Sequence, residues 1–207
     1  DNNNNRTYNV FTYKNQTDNY QQDHYQLFFN HELNKAWNFN AAFFLTRGRG
    51  YYEEYKYKED LGDYGLSSAV DADIIRQLWL NNWFYGTTFS AQYKKDKDQL
   101  TIGGAYTRYK GLHYGKIIWS EVSVPKDYKW YDLNAFKNDF NIYTKYQRRI
   151  ATRWEAFADL QFRSVTHTIN GFRKTPTLKL DNQFDFFNPK VGLSYADTKG
   201  WLGYASF

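Results

Sequence analysis

The sequence predicts an all-β chain, an antiparallel transmembrane β-barrel segment of about eight meandering strands with short periplasmic turns and long extracellular loops. Three observations carry this. Apolar residues recur with period two along most of the chain and with a helical period almost nowhere. Tight connections rich in turn formers alternate with long ones, so every hairpin turn falls at one end of the sheet. Aromatic residues gather near those tight turns, where a membrane interface holds rings between headgroups and hydrocarbon.

Residues 1–22 are rich in Asn and Gln and read as extracellular loop, with Arg6 to Asn15 as a strand extension. Strands and loops then fill 23–207 as one barrel segment. The first strand, 24–33, sets Tyr25, Leu27, Phe29 and Leu33 against His24, Gln26, Phe28, Asn30 and Glu32, and Asn34-Lys35 turns the chain. In 37–47 the separation is clearest: Trp37, Phe39, Ala41, Phe43 and Leu45 oppose Asn38, Asn40, Ala42, Phe44 and Thr46. A loop over 48–75 leads to 79–93, which places Trp79, Trp83, Tyr85, Phe89, Ala91 and Tyr93 on one face. Lys94 to Asp98 turns into 99–109; a loop over 110–136 leads to 137–149, and Ile150 to Thr152 turns into 153–166. There Trp154, Ala156, Ala158, Leu160 and Phe162 oppose Glu155, Phe157, Asp159, Gln161 and Arg163. A loop over 168–183, a strand over 185–196, a turn at Asp197 to Gly200 and a strand over 200–207 complete the meander. Trp37, Tyr93, Tyr146, Trp154 and Tyr195 fit the apolar face as one girdle, with Trp201 ambiguous.

Composition restricts the alternatives. The chain carries 17 Phe, 20 Tyr and 7 Trp among 207 residues, yet its mean hydropathy is −0.83 and its net charge is +5. The longest apolar run, Ala41 to Leu45, is far short of the roughly 20 residues of a spanning helix. Zero Cys removes disulfides, thiolate metal sites and a cysteine nucleophile. Zero Met and a start at Asp1 lead us to expect that the natural N-terminus lies upstream.

Catalytic and metal constellations are not found. His24, His31, His113 and His167 are scattered without ligand spacing. The pairs Glu53-Glu54, Glu59-Asp60, Asp71/Asp73 and Asp96/Asp98 read as solvated loop or turn charge, with 53–73 the one stretch that could offer calcium enough oxygens. Gly48-Arg49-Gly50 lacks the following glycine and helix of a phosphate loop. Sequons at Asn5 and Asn15 matter only in a eukaryotic secreted chain. Basic residues form no concentrated stripe, which argues against a nucleic-acid partner. Charges on the polar strand faces, Glu32, Lys94, Lys145, Glu155, Asp159, Arg163 and Lys190, suit a wet lumen, because on the lipid side each would cost about 2–4 kcal/mol at midplane.

Two stretches resemble the TonB-dependent outer-membrane receptors. Residues 188–207 run Asn-Pro-Lys-Val-Gly-Leu-Ser-Tyr, then Ala-Asp-Thr-Lys-Gly, then Trp-Leu-Gly-Tyr-Ala-Ser-Phe, similar to a late-barrel strand, periplasmic turn and strand of that family. Tyr20 to Tyr52, with His-Tyr-Gln-Leu-Phe-Phe-Asn-His and Arg-Gly-Arg-Gly-Tyr-Tyr, resembles its mid-barrel hairpins. The resemblance implies a barrel of about 22 strands with a plug in its lumen, of which this chain would supply about a third, without the plug. It also implies import of a scarce nutrient driven by the TonB complex through a segment near the true N-terminus. A ferric siderophore is the leading ligand, with cobalamin, haem or an oligosaccharide next, and outer-membrane lipid is the other partner. No cofactor or metal centre and no enzyme activity are expected. Candidate ligand contacts are the loop residues Arg49, Tyr51, Tyr52, Tyr55, Tyr57, Trp119, Trp130 and Arg173, because aromatic faces and cations suit large planar or anionic chelates. The rival reading is a self-contained eight-stranded barrel or sandwich that binds a ligand or serves a structural role in the outer membrane.

Overall fold

The computed structural model describes residues 13–66 and 71–207. Its strands are β1 (Asp18–Asn34), β2 (Trp37–Asp60), β3 (Asp71–Lys95), β4 (Asp98–Ser120), β5 (Lys129–Ala151), β6 (Trp154–Phe172), β7 (Thr175–Ala196) and β8 (Leu202–Ser206). They form one antiparallel sheet in the order of the chain. The eight-strand meander and all four tight turns stand where alternation and turn chemistry put them. Asn34 makes the first turn by accepting from the backbone N–H groups of Ala36 and Trp37, at 2.9 and 3.1 Å. Most of the expected extension over Arg6 to Asn15, and the sequon at Asn5, lie outside the described residues.

The loops expected over 48–75, 110–136 and 168–183 are mostly strand. β2 runs to Asp60, β4 to Ser120, and β6 and β7 meet in a two-residue turn at Arg173 and Lys174. Alternation is weak in these stretches because neither face continues the apolar band, and a ladder rich in Tyr, Trp and Ile needs no apolar contrast to form. The asymmetry between the ends therefore lies mainly in strand length. Among the described residues β1 pairs with β2 alone and β8 with β7 alone. A barrel closed on itself would need a β1–β8 ladder, and a sandwich a second sheet; neither is present among those residues.

Register assigns the faces. Trp37 pairs with Tyr93, Tyr93 with Leu100, Leu100 with Tyr146, and Trp154 with Tyr195, so the turn-end girdle lies on one face. Its rings touch in pairs: Trp37 and Tyr93 have centroids 5.0 Å apart, Trp154 and Tyr195 4.9 Å. Above the girdle the same face presents Trp37–Leu45, Trp83–Tyr93, Leu100–Tyr106, Phe140–Tyr146, Trp154–Phe162 and Phe187–Tyr195 at alternate positions, with no Asp, Glu, Lys or Arg among them. Much of it is bare: Phe43, Phe89, Ile142, Leu160 and Val191 are all exposed. A continuous exposed apolar face of this extent is what the lipid-facing side of a transmembrane barrel requires. Nine to eleven tilted residues rise about 20–25 Å, the height of an apolar band in such barrels.

Beyond the band, at the far end, the chain builds a small core of its own on the opposite face. Leu61, Tyr64, Ala72, Ile74 and Ile117 are buried together, with Leu66, Val124, Tyr128 and Trp130 packed against them. A 3-10 turn, Leu61–Tyr64, starts where the Asp60 carboxylate accepts from the Gly62 N–H at 2.8 Å and stops at Gly65, whose φ of 70° suits glycine. Tyr64 anchors the cluster. Its ring meets Trp130 edge-on at 5.0 Å, its carbonyl accepts from the Tyr128 hydroxyl at 2.6 Å, and its hydroxyl donates to Glu59 and accepts from Arg76, both at 2.5 Å.

On the outward face at this end, residues 13–17 are tied to β2 through Glu53. Its carboxylate is buried and accepts from Asn15 at 2.8 Å, Gln77 at 2.7 Å and the Tyr13 hydroxyl at 3.2 Å. Burial, and then the Glu53 charge, push the Tyr13 hydroxyl up to about 12. Glu53→Ala would strand those donors at a cost of about 1–3 kcal/mol. Amide exchange over 13–17 is expected to rise while that of 37–45 stays unchanged; unaltered protection of 13–17 would remove Glu53 from this role.

Candidate functional site

The face opposite the apolar band is polar. Tyr20 on β1 reaches across β2 to Asn82 on β3, its hydroxyl donating to Oδ1 at 3.0 Å, although those strands are about 9.6 Å apart. The intervening position must be glycine: a Cβ on Gly48 would stand 2.1 Å from the Tyr20 hydroxyl and 2.6 Å from Asn82 Oδ1. A groove of about 350 Å³ runs along this face past Asn30, Asn40, Thr88, Ser90, Asn141 and Tyr143.

Charges on this face lie opposite their complements. Lys145 pairs in register with Asp159, and Asp159 with Lys190. Arg163 donates from Nε to Asp139 at 2.9 Å and from Nη2 at 2.5 Å. Lys145 and Lys190 flank the Phe157 ring at 5.4 and 6.0 Å. Alternating charge on a face backed by an uncharged apolar one is the pattern of a hydrated lumen.

At the far end of the polar face, β4, β5 and the β6–β7 turn enclose a cleft of about 270 Å³ lined by His113, Tyr131, Leu133, Ala135, Ile169, Gly171, Phe172 and Arg173. Gly171 has φ 93° and closes the wall: a side chain there would be strained and would meet the Pro176 carbonyl oxygen at 2.4 Å. Desolvation by the surrounding strands lowers His113 below the usual imidazole range and so favours its neutral form. Burial raises the Tyr131 hydroxyl, against the pull of the Arg173 and Arg76 cations. The cleft thus offers an apolar wall, a neutral imidazole, a protonated phenol and a guanidinium at its rim.

The eight sequence-derived contacts do not meet in one place. Arg49, Tyr51, Tyr55 and Trp119 lie on the outward face, continuing the lipid-facing side above the band. Tyr51 packs on Trp79 at 4.7 Å, with the Arg49 guanidinium 5.6 Å from the same indole. The Tyr55 hydroxyl donates to Asp73 at 2.5 Å, which raises it to about 12, and that bond holds the Asp73 carboxyl below its ordinary range. Tyr57 stands exposed in the irregular tip of β2 beside Lys58. Tyr52, Trp130 and Arg173 belong to the polar side: Tyr52 opposite Leu78, Trp130 in the far-end core, Arg173 at the cleft.

His113 and Tyr131 were not among the expected contacts. Parity could have found them, since counting by twos from Asn141 on β5 reaches Tyr131, and from Ala105 on β4 reaches His113. Of the carboxylates expected as solvated charge in 53–73, Asp71 is exposed, whereas five have partners: Glu53 as above, Glu54 and Glu59 with Arg76 at 2.6 and 3.6 Å, Asp60 with the Gly62 N–H, and Asp73 with Tyr55.

No family model and no curated protein matches the chain by sequence. Its fold is shared with solved receptors. BauA, the ferric preacinetobactin receptor from Acinetobacter baumannii, superposes with a TM-score of 0.64 at 13% identity, over 90% of this chain and 30% of that one. Fiu, the ferric-catecholate import receptor of Escherichia coli K12, superposes in its closed form with a TM-score of 0.63 at 13% identity, over 91% of this chain and 32% of its own. Its open form gives 0.59 at 12% identity, over 91% and 35%. The chain therefore spans about a third of the length of these receptors, and the likeness is one of barrel fold.

Proposed function

We propose that the chain is part of an outer-membrane active transporter that binds a ferric siderophore and imports it with energy from the TonB complex. The observation that carries this reading is the fold shared with two ferric-siderophore receptors over nine-tenths of the chain. The charge-free outward band and the charged inner face support it, since import needs a hydrated path behind a lipid-facing wall. Ligand contacts belong on the polar side of the far end, where Tyr52, Trp130 and Arg173 join His113 and Tyr131. Arg173 at the rim of an aromatic cleft suits the anionic, partly aromatic surface of a ferric chelate.

The test is uptake of radiolabelled ferric siderophores by cells that produce the intact receptor as their sole ferric transporter. Uptake that collapses when the proton gradient is discharged is expected; no uptake from a panel of catecholate, hydroxamate and mixed chelates would end the reading. Within an active receptor, Arg173→Ala with Tyr131→Ala is expected to weaken chelate binding about tenfold or more, as loss of a charged contact implies. Unchanged affinity would remove the cleft from the site.

A further inference from the structure

At the far rim of the apolar band, the outward face of β2 to β4 carries four cations around one indole. Arg47 pairs in register with Trp83, and Trp83 with Lys110; one row nearer the band Leu45 pairs with Tyr85 and Tyr85 with Arg108. Arg49 stands one row farther out, opposite Asn81. The cations therefore occupy two strands about 10 Å apart, with neighbours on each strand about 7 Å apart. None of the four joins an ion pair among the described residues. Two carboxylates share the row of Arg47 on this face: Asp23, opposite it on β1, accepts instead from the Gln21 amide at 3.1 Å, and Asp181 on β7, three strands from Lys110, accepts from the Thr168 hydroxyl at 3.1 Å.

Two of the cations are held in place. Arg47 donates from Nη1 to the Gly48 and Asn82 carbonyl oxygens at 2.9 and 3.1 Å, and its guanidinium lies 4.6 Å from the Trp83 ring centre. Arg49 rests against Trp79. Trp83 itself is 40% exposed. Directly below, the outward face has no charge at all down to the turn-end girdle. Fixed cations on indoles at the upper edge of a lipid-facing surface complement one chemistry, an anionic headgroup whose tails lie on the band.

We propose that Arg47, Arg49, Arg108 and Lys110 around Trp83 bind the phosphorylated headgroup of a membrane lipid, with its acyl chains packed on the apolar face beneath. Four cations on two strands about 10 Å apart carry the charge to engage a headgroup with two phosphates. The site rests on the lipid-facing assignment of the band and not on ferric transport.

The experiment uses the full-length receptor in detergent, titrated with an acylated diglucosamine bearing two phosphates and followed by native mass spectrometry. Arg49→Ala, Arg108→Ala and Lys110→Ala together should weaken binding about a hundredfold, while the triple Arg49→Lys, Arg108→Lys, Lys110→Arg keeps it. The same glycolipid without phosphates should bind no better to the parent than to the alanine variant, and inorganic phosphate should not displace the parent's lipid. Equal affinity of parent and alanine variant, equal binding of the dephosphorylated lipid, or displacement by inorganic phosphate would each overturn the proposal. Uptake assays on the parent separate the two readings, because a receptor that imports no ferric chelate yet holds the phosphorylated lipid defeats only the transport function.

Discussion

Phe89→Arg is expected to destabilise the folded barrel by about 2–4 kcal/mol in a bilayer, while Ser90→Arg, one residue along the same strand, costs far less. Phe89 lies near the middle of the β3 span, between Ala41 and Gly104, and 43% of it is exposed on the outward side. A guanidinium there sits in hydrocarbon too far from either girdle to reach water easily. Ser90 points the other way, into the groove beside Asn40 and Asn141, where an arginine stays hydrated. Reversible guanidinium unfolding of the full-length protein in phospholipid vesicles measures both. Equal penalties at the two positions would mean that the faces have been assigned wrongly, and the lipid site and lumen would fall with them.

Tyr64→Ala should cost about 3–5 kcal/mol within the far-end core and leave the band intact. The truncation removes the edge-on partner of Trp130 and leaves Glu59 without the hydroxyl that donates to it. Arg76 keeps Glu54, to which it donates at 2.8 Å, so the charge is not abandoned. Tyr64→Phe separates packing from hydrogen bonding and should cost only about 1 kcal/mol. Burial, reinforced by the bond to Glu59, holds the Tyr64 hydroxyl well above its ordinary range, so it remains a neutral donor at any physiological pH. Hydrogen exchange should show faster opening of 61–66 and 124–128 with Trp37–Leu45 still protected. Loss of protection across the band would show instead that the far-end core is part of the barrel's global folding unit.

The candidate site was less legible than the fold. Within the band, one face meets lipid and the other water, so every second residue of Trp37 to Leu45 declares its side. Beyond Arg47 that contrast ends, and Arg49, Tyr51 and Tyr55 look no different in sequence from Tyr52. They read as one ligand-binding loop because aromatic and cationic residues cluster there, yet register divides them between two faces. Glu53 shows the same limit, since no local pattern marks a carboxylate that residues 38 and 40 positions earlier will bury.

The sequence by itself determined the number of strands, their turn ends, the apolar face and the turn-end girdle. Each of these depends on residues adjacent or two apart in the chain, where the strand period alone decides direction. Only the tertiary structure decided which far-end residues share a space. The Tyr20–Asn82 bridge over Gly48, the Tyr64 core, the His113–Tyr131 cleft and the ring of cations around Trp83 all depend on register between strands and on bulges that shift it. One displaced residue moves a side chain to the opposite face, and that displacement is set by cross-strand packing, which no stretch of single strand records.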